Sequence, residues 1–387
     1  MEKRIRFGLV GYKFMGKAHS DALCRIPRFF QPDLEIDRRV LCGRDGDWAR
    51  QAAQRLGWEE VETDWRKLVA RPDIDAIDIT APSNAHREIA LAAAANGKHI
   101  FCEKPLALDL AGAREMLSAA RAAGVRHQVG FNYRFAPALV LAKRLIDQGK
   151  LGRIFHVRGS FLQDWIIDPD FPKVWRLDKK VCGSGSLGDL GAHVIDAARY
   201  LVGEFAFVTG AQATFVRERP VVARMEGLSA SVDKNAPREI VDVDDATGFV
   251  CTFENGAMGV FEATRFAQGH KNDMRIEVNG ERGSIQFEFE RMNELKYFSA
   301  SDEPGEQGWR LIQVTEDIHP YGDIWWPTGH VIGFAETFCH ELSAFIQCVA
   351  GGGECAPSFE DGVKCAQVME AVELSAQRRA WVDVNSL

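Results

Sequence analysis

The sequence lacks any uninterrupted apolar run long enough to cross a bilayer, and it lacks any block of like charges. Its 47 basic and 55 acidic residues are scattered and give a net charge of -8. This balance excludes nucleic acid and an anionic membrane surface as obvious partners. The chain enters a strand-like segment directly after its first residues, without an apolar signal core. We therefore expect a cytoplasmic protein that acts on a small molecule.

Metal and disulfide patterns are absent as well. The nine cysteines contain no C-x-x-C pair, and we expect them to be reduced thiols. The ten histidines show no H-x-x-x-H or H-E-x-x-H spacing, so no metal site is predicted. With 387 residues and no internal repeat, the chain exceeds what one core usually holds, and two domains are expected.

Strand and helix patterns alternate regularly through the first part of the chain. This alternation predicts an α/β domain over residues 1–130, a Rossmann-type doubly wound parallel sheet that binds a dinucleotide. The predicted strands cover residues 4–10, 39–42, 74–80, 99–102 and 126–130, and the predicted helices between them cover residues 48–56, 84–96 and 108–123.

A glycine-rich turn, Gly11 to Gly16, follows the first predicted strand. In a dinucleotide fold the first glycine permits the tight turn, the second lets the backbone approach pyrophosphate, and the third lets helix and strand pack closely. Lys13 occupies the second position, where its side chain either crowds the pyrophosphate or faces it with an ammonium group. On its own this G-x-x-x-x-G turn is a weak signal that also fits a plain loop.

The end of the second strand bears on the choice of cofactor. An acidic residue there usually holds the ribose 2'-hydroxyl of NAD and repels a 2'-phosphate. Here Gly43 and Arg44 offer room and a guanidinium, which favours NADP, whereas Asp45 keeps NAD open. Arg44 also fits an exposed turn residue without a role.

Lys104 follows a short apolar strand, and the ends of such strands are where parallel sheets bind ligands. The pair Glu103-Lys104 is then placed where a cofactor and a substrate would meet. A structural salt bridge closing the strand is the alternative interpretation.

Long alternating segments characterise residues 131–387 and predict an α+β domain with a large, mainly antiparallel open sheet. One face of this sheet is expected to pack on helices and the other to join subunits in a homodimer or homotetramer. The predicted strands cover residues 154–163, 205–216, 246–254, 257–266, 273–279 and 283–290.

Asp189 and His193 lie four residues apart within a glycine-rich stretch. On a helix they share a face, where the carboxylate would orient the imidazole and raise its basicity. The alternative makes Asp189 a helix N-cap and His193 a packed core residue.

Four motifs together resemble the Gfo/Idh/MocA family of NAD(P)-dependent oxidoreductases over nearly the whole chain. They are the Gly11–Gly16 turn, the segment Thr80–His86, the Glu103–Pro105 end and the Asp189-x-x-x-His193 helix. Within that family the chain is most similar to the groups acting on levoglucosan and on inositols, on the basis of residues 161–165, 319–322 and 381–384.

The resemblance implies roles for individual residues. Lys104, Asp189 and His193 fall on the family's catalytic positions. The implied cofactor-binding residues are Gly11, Lys13, Phe14, Met15, Gly16, Gly43, Arg44, Thr80, Pro82, Asn84, His86, Glu103, Lys104, Asn132, Trp175 and Arg176. The implied substrate-binding residues are Tyr133, Gln163, Asp164, Trp165, Trp326 and His330.

The function this implies is hydride transfer from a ring secondary hydroxyl of a sugar, anhydrosugar or cyclitol to NAD or NADP, giving a ketone. His193 would take the hydroxyl proton and Lys104 would stabilise the developing charge. Two alternatives remain open. One is a redox-neutral glycosidase or lyase that keeps its nicotinamide bound, and the other is a cofactor-sensing regulator without turnover.

Overall fold

A six-stranded parallel sheet forms the N-terminal part of the chain. The computed structural model describes residues 4–221, 224–226, 229–231, 236–351 and 353–387. The strand order is β3-β2-β1-β4-β5-β6, the doubly wound arrangement. Its strands are β1 (Arg4–Val10), β2 (Glu35–Cys42), β3 (Glu60–Glu62), β4 (Ala76–Ile79), β5 (His99–Glu103) and β6 (His127–Gly130), and its helices are α1 (Phe14–Phe29), α2 (Gly46–Leu56), α3 (Trp65–Val69), α4 (His86–Ala95) and α5 (Leu110–Ala122).

Local signals explain where these helices begin. Asp45 and Asp109 accept hydrogen bonds from backbone N–H groups in the first turns of α2 and α5. Gly57, with φ of 74°, ends α2 in the left-handed conformation that glycine adopts at least cost. Strand β4 is buried along its whole length, as expected of an interior parallel strand covered on both faces.

A nine-stranded sheet forms the second half, in the order β18-β17-β16-β15-β7-β14-β13-β8-β19. Only the β7–β14 pair runs parallel within this sheet. Its strands are β7 (Ile154–Leu162), β8 (Phe205–Ala213), β13 (Ala246–Phe253), β14 (Met258–Thr264), β15 (Asp273–Gly280), β16 (Gly283–Glu288), β17 (Glu294–Ser299), β18 (Arg310–Gln313) and β19 (Val382–Asp383). Two separate two-stranded sheets are formed by β9 (Glu218–Pro220) with β12 (Arg238–Ile240) and by β10 (Arg224–Glu226) with β11 (Ser229–Ser231).

The later helices tie the two sheets together. Helix α9 packs against the first sheet, where Phe345 contacts the rings of Phe7 and Phe101. Arg25 of α1 forms an ion pair with Glu336 of α9. These helices are α6 (Pro137–Asp147), α7 (Lys179–Cys182), α8 (Ala192–Val202), α9 (Phe334–Gly351) and α10 (Phe359–Arg378).

The predicted fold class is confirmed: a parallel Rossmann sheet precedes an α+β region with a mostly antiparallel sheet. The division at residue 130 stays a prediction. Helix α9, from the second segment, completes the core of the first. None of the helices in the described ranges combines the length and apolar character needed to cross a membrane.

The expectation that every cysteine is reduced is wrong for one pair. Cys348 and Cys355 form a disulfide because the chain folds back just after α9 and brings their Cα atoms to 5.5 Å. The other seven cysteines are free thiols.

Candidate active site

The glycine-rich turn has the shape of a phosphate cradle. A Cβ on Gly11 would lie 2.7 Å from the Thr80 carbonyl oxygen, and a Cβ on Gly16 would lie 2.2 Å from the Gly11 carbonyl oxygen. Gly11 also has a φ of 106°, which side chains rarely adopt. The turn leads into the 16-residue helix α1, whose N-terminal N–H groups suit an anion. Close backbone approach therefore requires both glycines and fits a bound dinucleotide.

The end of β2 lies beside this turn. Arg44 is exposed, and Asp45 is engaged as the cap of α2 through Asp47 N and Trp48 N, both at 3.1 Å. A Cβ on Gly43 would lie 2.0 Å from the ring of Tyr12, so the packed phenol requires glycine at this position.

Lys104 reaches from the end of β5 to Asp189. Its Nζ donates to the Asp189 carbonyl oxygen at 2.6 Å and lies 3.5 Å from Asp189 Oδ1. Only 14% of the Lys104 side chain is exposed. The ammonium group is therefore held in a largely water-excluded position between the two halves of the fold.

Three cations surround the Asp189 carboxylate. Arg176 Nε and an Arg265 guanidinium nitrogen each lie 3.7 Å from it, in addition to Lys104. Burial opposes ionisation, but these charges outweigh it and lower the pKa of Asp189 to about 2. Asp189 is consequently a fixed anion at neutral pH, and its weak basicity makes it unsuited to accept a proton.

His193 is neutral at pH 7. Burial first, and then the charge of Lys104, lower its pKa well below the usual value. Its Nδ1 is buried and makes no hydrogen bond within the part of the chain that the structure describes. The ring lies against Tyr133, with centroids 4.3 Å apart.

The charge of Asp189 does raise the pKa of His193, as expected, but burial and Lys104 outweigh it. The expected hydrogen bond between the two side chains is not formed among the described residues, and Asp189 faces Lys104, Arg176 and Arg265 instead. The cause lies in the backbone, because residues 187–191 form a π-helical turn before α8 begins. This wider turn changes the angle between positions four residues apart, and such turns often occur at functional sites.

A cavity of about 340 Å³ opens between the Rossmann sheet and the second sheet. The structure brings fourteen of the predicted site residues together in its lining. They are Phe14, Met15, Thr80, His86, Glu103, Lys104, Asn132, Tyr133, Gln163, Trp165, Trp175, Arg176, Asp189 and His193.

Ten predicted residues lie outside this lining. Gly11, Lys13, Gly16, Gly43, Arg44, Pro82 and Asn84 belong to the turns and strand ends of the Rossmann sheet. Asp164 binds Lys271 Nζ at 2.7 Å, and Lys271 itself lines the cavity. The remaining two are Trp326 and His330.

Trp326 and His330 do not belong to the substrate wall in this structure. Trp326 is 51% exposed and meets the ring of Phe29 edge-on, while His330 Nδ1 bonds the Pro327 carbonyl oxygen at 2.7 Å. The segment that carries them packs beside the end of α1, where Phe29 also contacts Trp325. Neither Trp326 nor His330 lines the cavity.

Sequence reasoning missed Asn272, which lines the cavity. Its Oδ1 accepts hydrogen bonds from the Tyr133 hydroxyl and from Gln163 Nε2, both at 3.1 Å. The register of β7 and β15 produces this junction, because Asp273 pairs with Leu162 and places Asn272 opposite Gln163. A strand register of this kind carries no local signal in the sequence.

Arg265 was also missed. It is fully buried, and besides facing Asp189 it donates to the carbonyl oxygen of Asp244 at 3.2 Å. Its guanidinium lies 5.9 Å from the ring of Trp165. The signal available in the sequence was an arginine at the end of an apolar strand.

Two groups among the described residues bring three possible metal ligands within 4.8 Å: His19 with Glu103 and Glu341, and Asp273 with Glu288 and Glu290. In the first, both His19 ring nitrogens already contact carboxylates. In the second, Asp273 is bonded to His270 and Arg275. The expectation of no metal therefore stays a prediction.

The glycine cradle beside a cavity lined by Lys104, Asp189 and His193 defines an NAD(P)-dependent oxidoreductase. Residues 5–131 match the oxidoreductase family with an NAD-binding Rossmann fold, and residues 139–286 match the GFO/IDH/MocA C-terminal domain. The chain belongs to the Gfo/Idh/MocA family.

Individual relatives align over most or all of the chain. Levoglucosan dehydrogenase of Pseudarthrobacter phenanthrenivorans is 43% identical over 100% of this chain and 99% of its own. A solved structure of levoglucosan dehydrogenase in complex with NADH and levoglucosan is 42% identical, covers 98% of this chain and 99% of its own, and has a TM-score of 0.93. The scyllo-inositol 2-dehydrogenase (NAD(+)) of Bacillus subtilis is 30% identical over 91% of this chain and 88% of its own.

Proposed function

We propose that this protein oxidises a ring secondary hydroxyl of a sugar, anhydrosugar or cyclitol to a ketone, with NAD or NADP as hydride acceptor. The observation that carries this proposal is the convergence of Lys104, neutral His193 and the Asn272 junction on one cavity beside the glycine cradle. The levoglucosan and inositol dehydrogenases among the relatives supply the substrate class.

The cofactor residues are those of the cradle and the cavity wall. The N–H groups at the start of α1 would hold the pyrophosphate, and Thr80 and Met15 would flank the dinucleotide. When bound, the nicotinamide supplies the hydride acceptor. Arg44 is exposed just after β2, whereas its neighbour Asp45 is engaged as the cap of α2. The free position of the Arg44 guanidinium favours NADP, because a guanidinium binds a phosphate through several N–H groups.

His193 and Lys104 divide the acid–base work. His193 is neutral and therefore has a free nitrogen to take the hydroxyl proton. Lys104 stabilises the negative charge that develops on the same oxygen. Asp189 holds Lys104 in place and offsets the positive charge of Arg176 and Arg265.

The substrate wall combines flat apolar surfaces with a few polar groups. Trp165 and Tyr133 offer faces for an apolar ring surface. Asn272 accepts from Tyr133 and Gln163 through its oxygen, so its amide nitrogen is left to donate to a substrate hydroxyl.

The decisive experiment mixes purified protein with levoglucosan, glucose, other pyranoses and inositols, with NAD or NADP in excess. Reduced-nicotinamide absorbance should rise with one substrate group, and faster with NADP if Arg44 has its proposed role. If the absorbance does not rise with any substrate of the panel, although fluorescence shows that the nucleotide binds, the dehydrogenase proposal is refuted. A cofactor that copurifies and never exchanges would then favour the redox-neutral alternative, and freely exchanging nucleotide without turnover would favour a sensor.

We further propose that two copies associate through the outer face of the second sheet. Phe207, Met258 and Val260 are 45%, 49% and 41% exposed on this face, which is a large apolar area for an isolated chain. A Val260→Glu variant should shift the light-scattering mass from dimer or tetramer toward monomer. A wild-type monomer would refute the proposal.

A further inference from the structure

Beneath the cavity, one fully buried imidazole joins three elements of the Rossmann sheet. His19 of α1 places Nδ1 at 2.9 Å from Asp78 Oδ1 of β4, and Nε2 at 3.1 Å from Glu103 Oε1 of β5. The exposed fractions of His19, Asp78 and Glu103 are 0%, 0% and 4%. Water therefore does not compete for these contacts.

The charge of this imidazole depends on the carboxylates that it contacts. Where Asp78 and Glu103 are ionised they only accept hydrogen bonds, so both ring nitrogens of His19 donate and the ring is an imidazolium. Burial opposes this charge, but Asp78 and Glu103 outweigh it and raise the pKa of His19 well above its usual value. Charge-assisted bonds of this kind are stronger and more directional than neutral ones.

The second oxygen of Glu103 leads to Lys104. Glu103 Oε2 accepts a hydrogen bond from the Lys104 backbone N–H at 3.2 Å. Gly130 of β6 provides the space, because a Cβ there would lie 2.8 Å from Glu103 Oε1. One carboxylate thus fixes the peptide of Lys104 while the imidazolium fixes the carboxylate.

We infer that His19, acting through Glu103, is the positioning residue for Lys104. It joins the helix that begins at the glycine cradle to the peptide of the lysine that contacts Asp189. A shift of Lys104 by about 1 Å would cost on the order of a hundredfold in rate, since catalysis depends on that alignment. The inference rests on the proposed dehydrogenase function for its kinetic consequence, but the positioning itself can be measured without a substrate.

The neighbouring Glu341 of α9 provides a matched control. It is a buried carboxyl beside the same cluster, yet neither of its oxygens has a hydrogen-bond partner among the described residues. Burial first, and then the charge of Glu103, raise its pKa well above the usual value. Glu341→Gln changes the same chemical group at the same depth without touching the contact to Lys104.

The test compares Glu103→Gln, His19→Gln and Glu341→Gln with the wild type. Glutamine at 103 keeps the side-chain length but offers one acceptor where two are needed, so either the His19 or the Lys104 contact is lost. We expect kcat to fall at least tenfold in Glu103→Gln and His19→Gln, with substrate KM within twofold of wild type in both variants and NADH affinity within twofold of wild type in His19→Gln. Glu341→Gln should retain wild-type kcat.

A substrate-free measurement separates positioning from function. Trace acetic anhydride labels lysines, and mass spectrometry gives the labelling of Lys104 relative to the exposed Lys17. We expect this ratio to change at least threefold in Glu103→Gln and to stay unchanged in Glu341→Gln. If His19→Gln does not fold, Glu103→Gln decides.

An unchanged ratio in folded Glu103→Gln overturns the inference, and so does wild-type kcat in that variant. An equal change in Glu341→Gln also overturns it, because the effect would then follow from disturbing any buried carboxyl. A changed ratio in a protein that oxidises no substrate supports the positioning of Lys104 and refutes the dehydrogenase proposal instead.

Discussion

Asn272 offers a direct test of the substrate wall. Replacing it with alanine removes the single acceptor on which the Tyr133 hydroxyl and Gln163 Nε2 converge, and it removes the amide nitrogen proposed to meet a substrate hydroxyl. The backbone should remain in place, because Asn272 N is held separately by Glu290 Oε1 at 2.8 Å. The change therefore acts on the hydrogen-bonding pattern of the cavity more than on its shape.

The expected loss follows from the number of contacts. Each partly buried hydrogen bond contributes about 0.5–1.5 kcal/mol, and two such bonds are lost within the protein. If that loss falls on the substrate-bound state, transition-state binding weakens by roughly 1–3 kcal/mol. At about 1.4 kcal/mol for each factor of ten, kcat/KM should fall by roughly 5- to 150-fold.

The assay measures kcat/KM for the best substrate of the panel and the dissociation constant of NADH for the same preparations. Asn279→Ala is the matched control, because Asn279 lies in β15, which begins directly after Asn272, but bonds Glu277 and does not line the cavity. NADH binding should not change in either variant. A value of kcat/KM within twofold of wild type for Asn272→Ala would refute the assigned role.

Three further outcomes are expected. Lys104→Met should lower kcat by about 10²–10⁴-fold with unchanged NADH affinity in a binding titration, because the ammonium is lost while Arg176 remains beside Asp189. Arg44→Asp should lower the NADP-to-NAD ratio of kcat/KM at least tenfold, since a carboxylate repels the 2'-phosphate; an unchanged ratio would disprove the role of Arg44. The pKa of His340 is lowered to about 3, chiefly by burial. The imidazole therefore binds a proton near pH 6.5 in the unfolded chain but stays neutral at that pH in the folded chain. Stability should then fall as pH drops from 6.5, by about 1.4 kcal/mol per pH unit for this group, and urea unfolding of wild type against His340→Gln would show a shallower slope in the variant.

The architecture could be predicted from the sequence because its signals are local. Apolar strands, glycine turns and capping residues such as Asp45 act over a few positions, and the predicted strands of the first sheet agree with the observed ones within a few residues. The short strand β3 and the C-terminal helices α9 and α10 were not predicted. Helix α9 is apolar over much of its surface because it lies in the core, so the amphipathic pattern that marks a surface helix is weak there.

The site was harder to predict because its contacts join distant segments. Lys104 and Asp189 are 85 positions apart, and Tyr133 and Asn272 are 139 apart. The resemblance located Lys104 and Asp189, but nothing in the spacing revealed the π-helical turn that directs Asp189 toward cations. Asn272 required the pairing of β7 with β15, which depends on the packing of whole strands.

In the proposed mechanism, the distribution of charge in the cavity requires two residues, and not one, to act on the substrate hydroxyl. With a pKa of about 2, Asp189 is too weak a base to accept its proton, and the lowered pKa makes neutral His193 a weak base as well. In the proposed mechanism a weak base suffices only if the hydroxyl becomes more acidic as hydride leaves, and Lys104 would supply that assistance by stabilising the alkoxide. Moving Lys104 would therefore impair proton transfer to His193 even though His193 itself is untouched. This coupling explains why the buried contacts of His19 and Glu103 should matter for the rate.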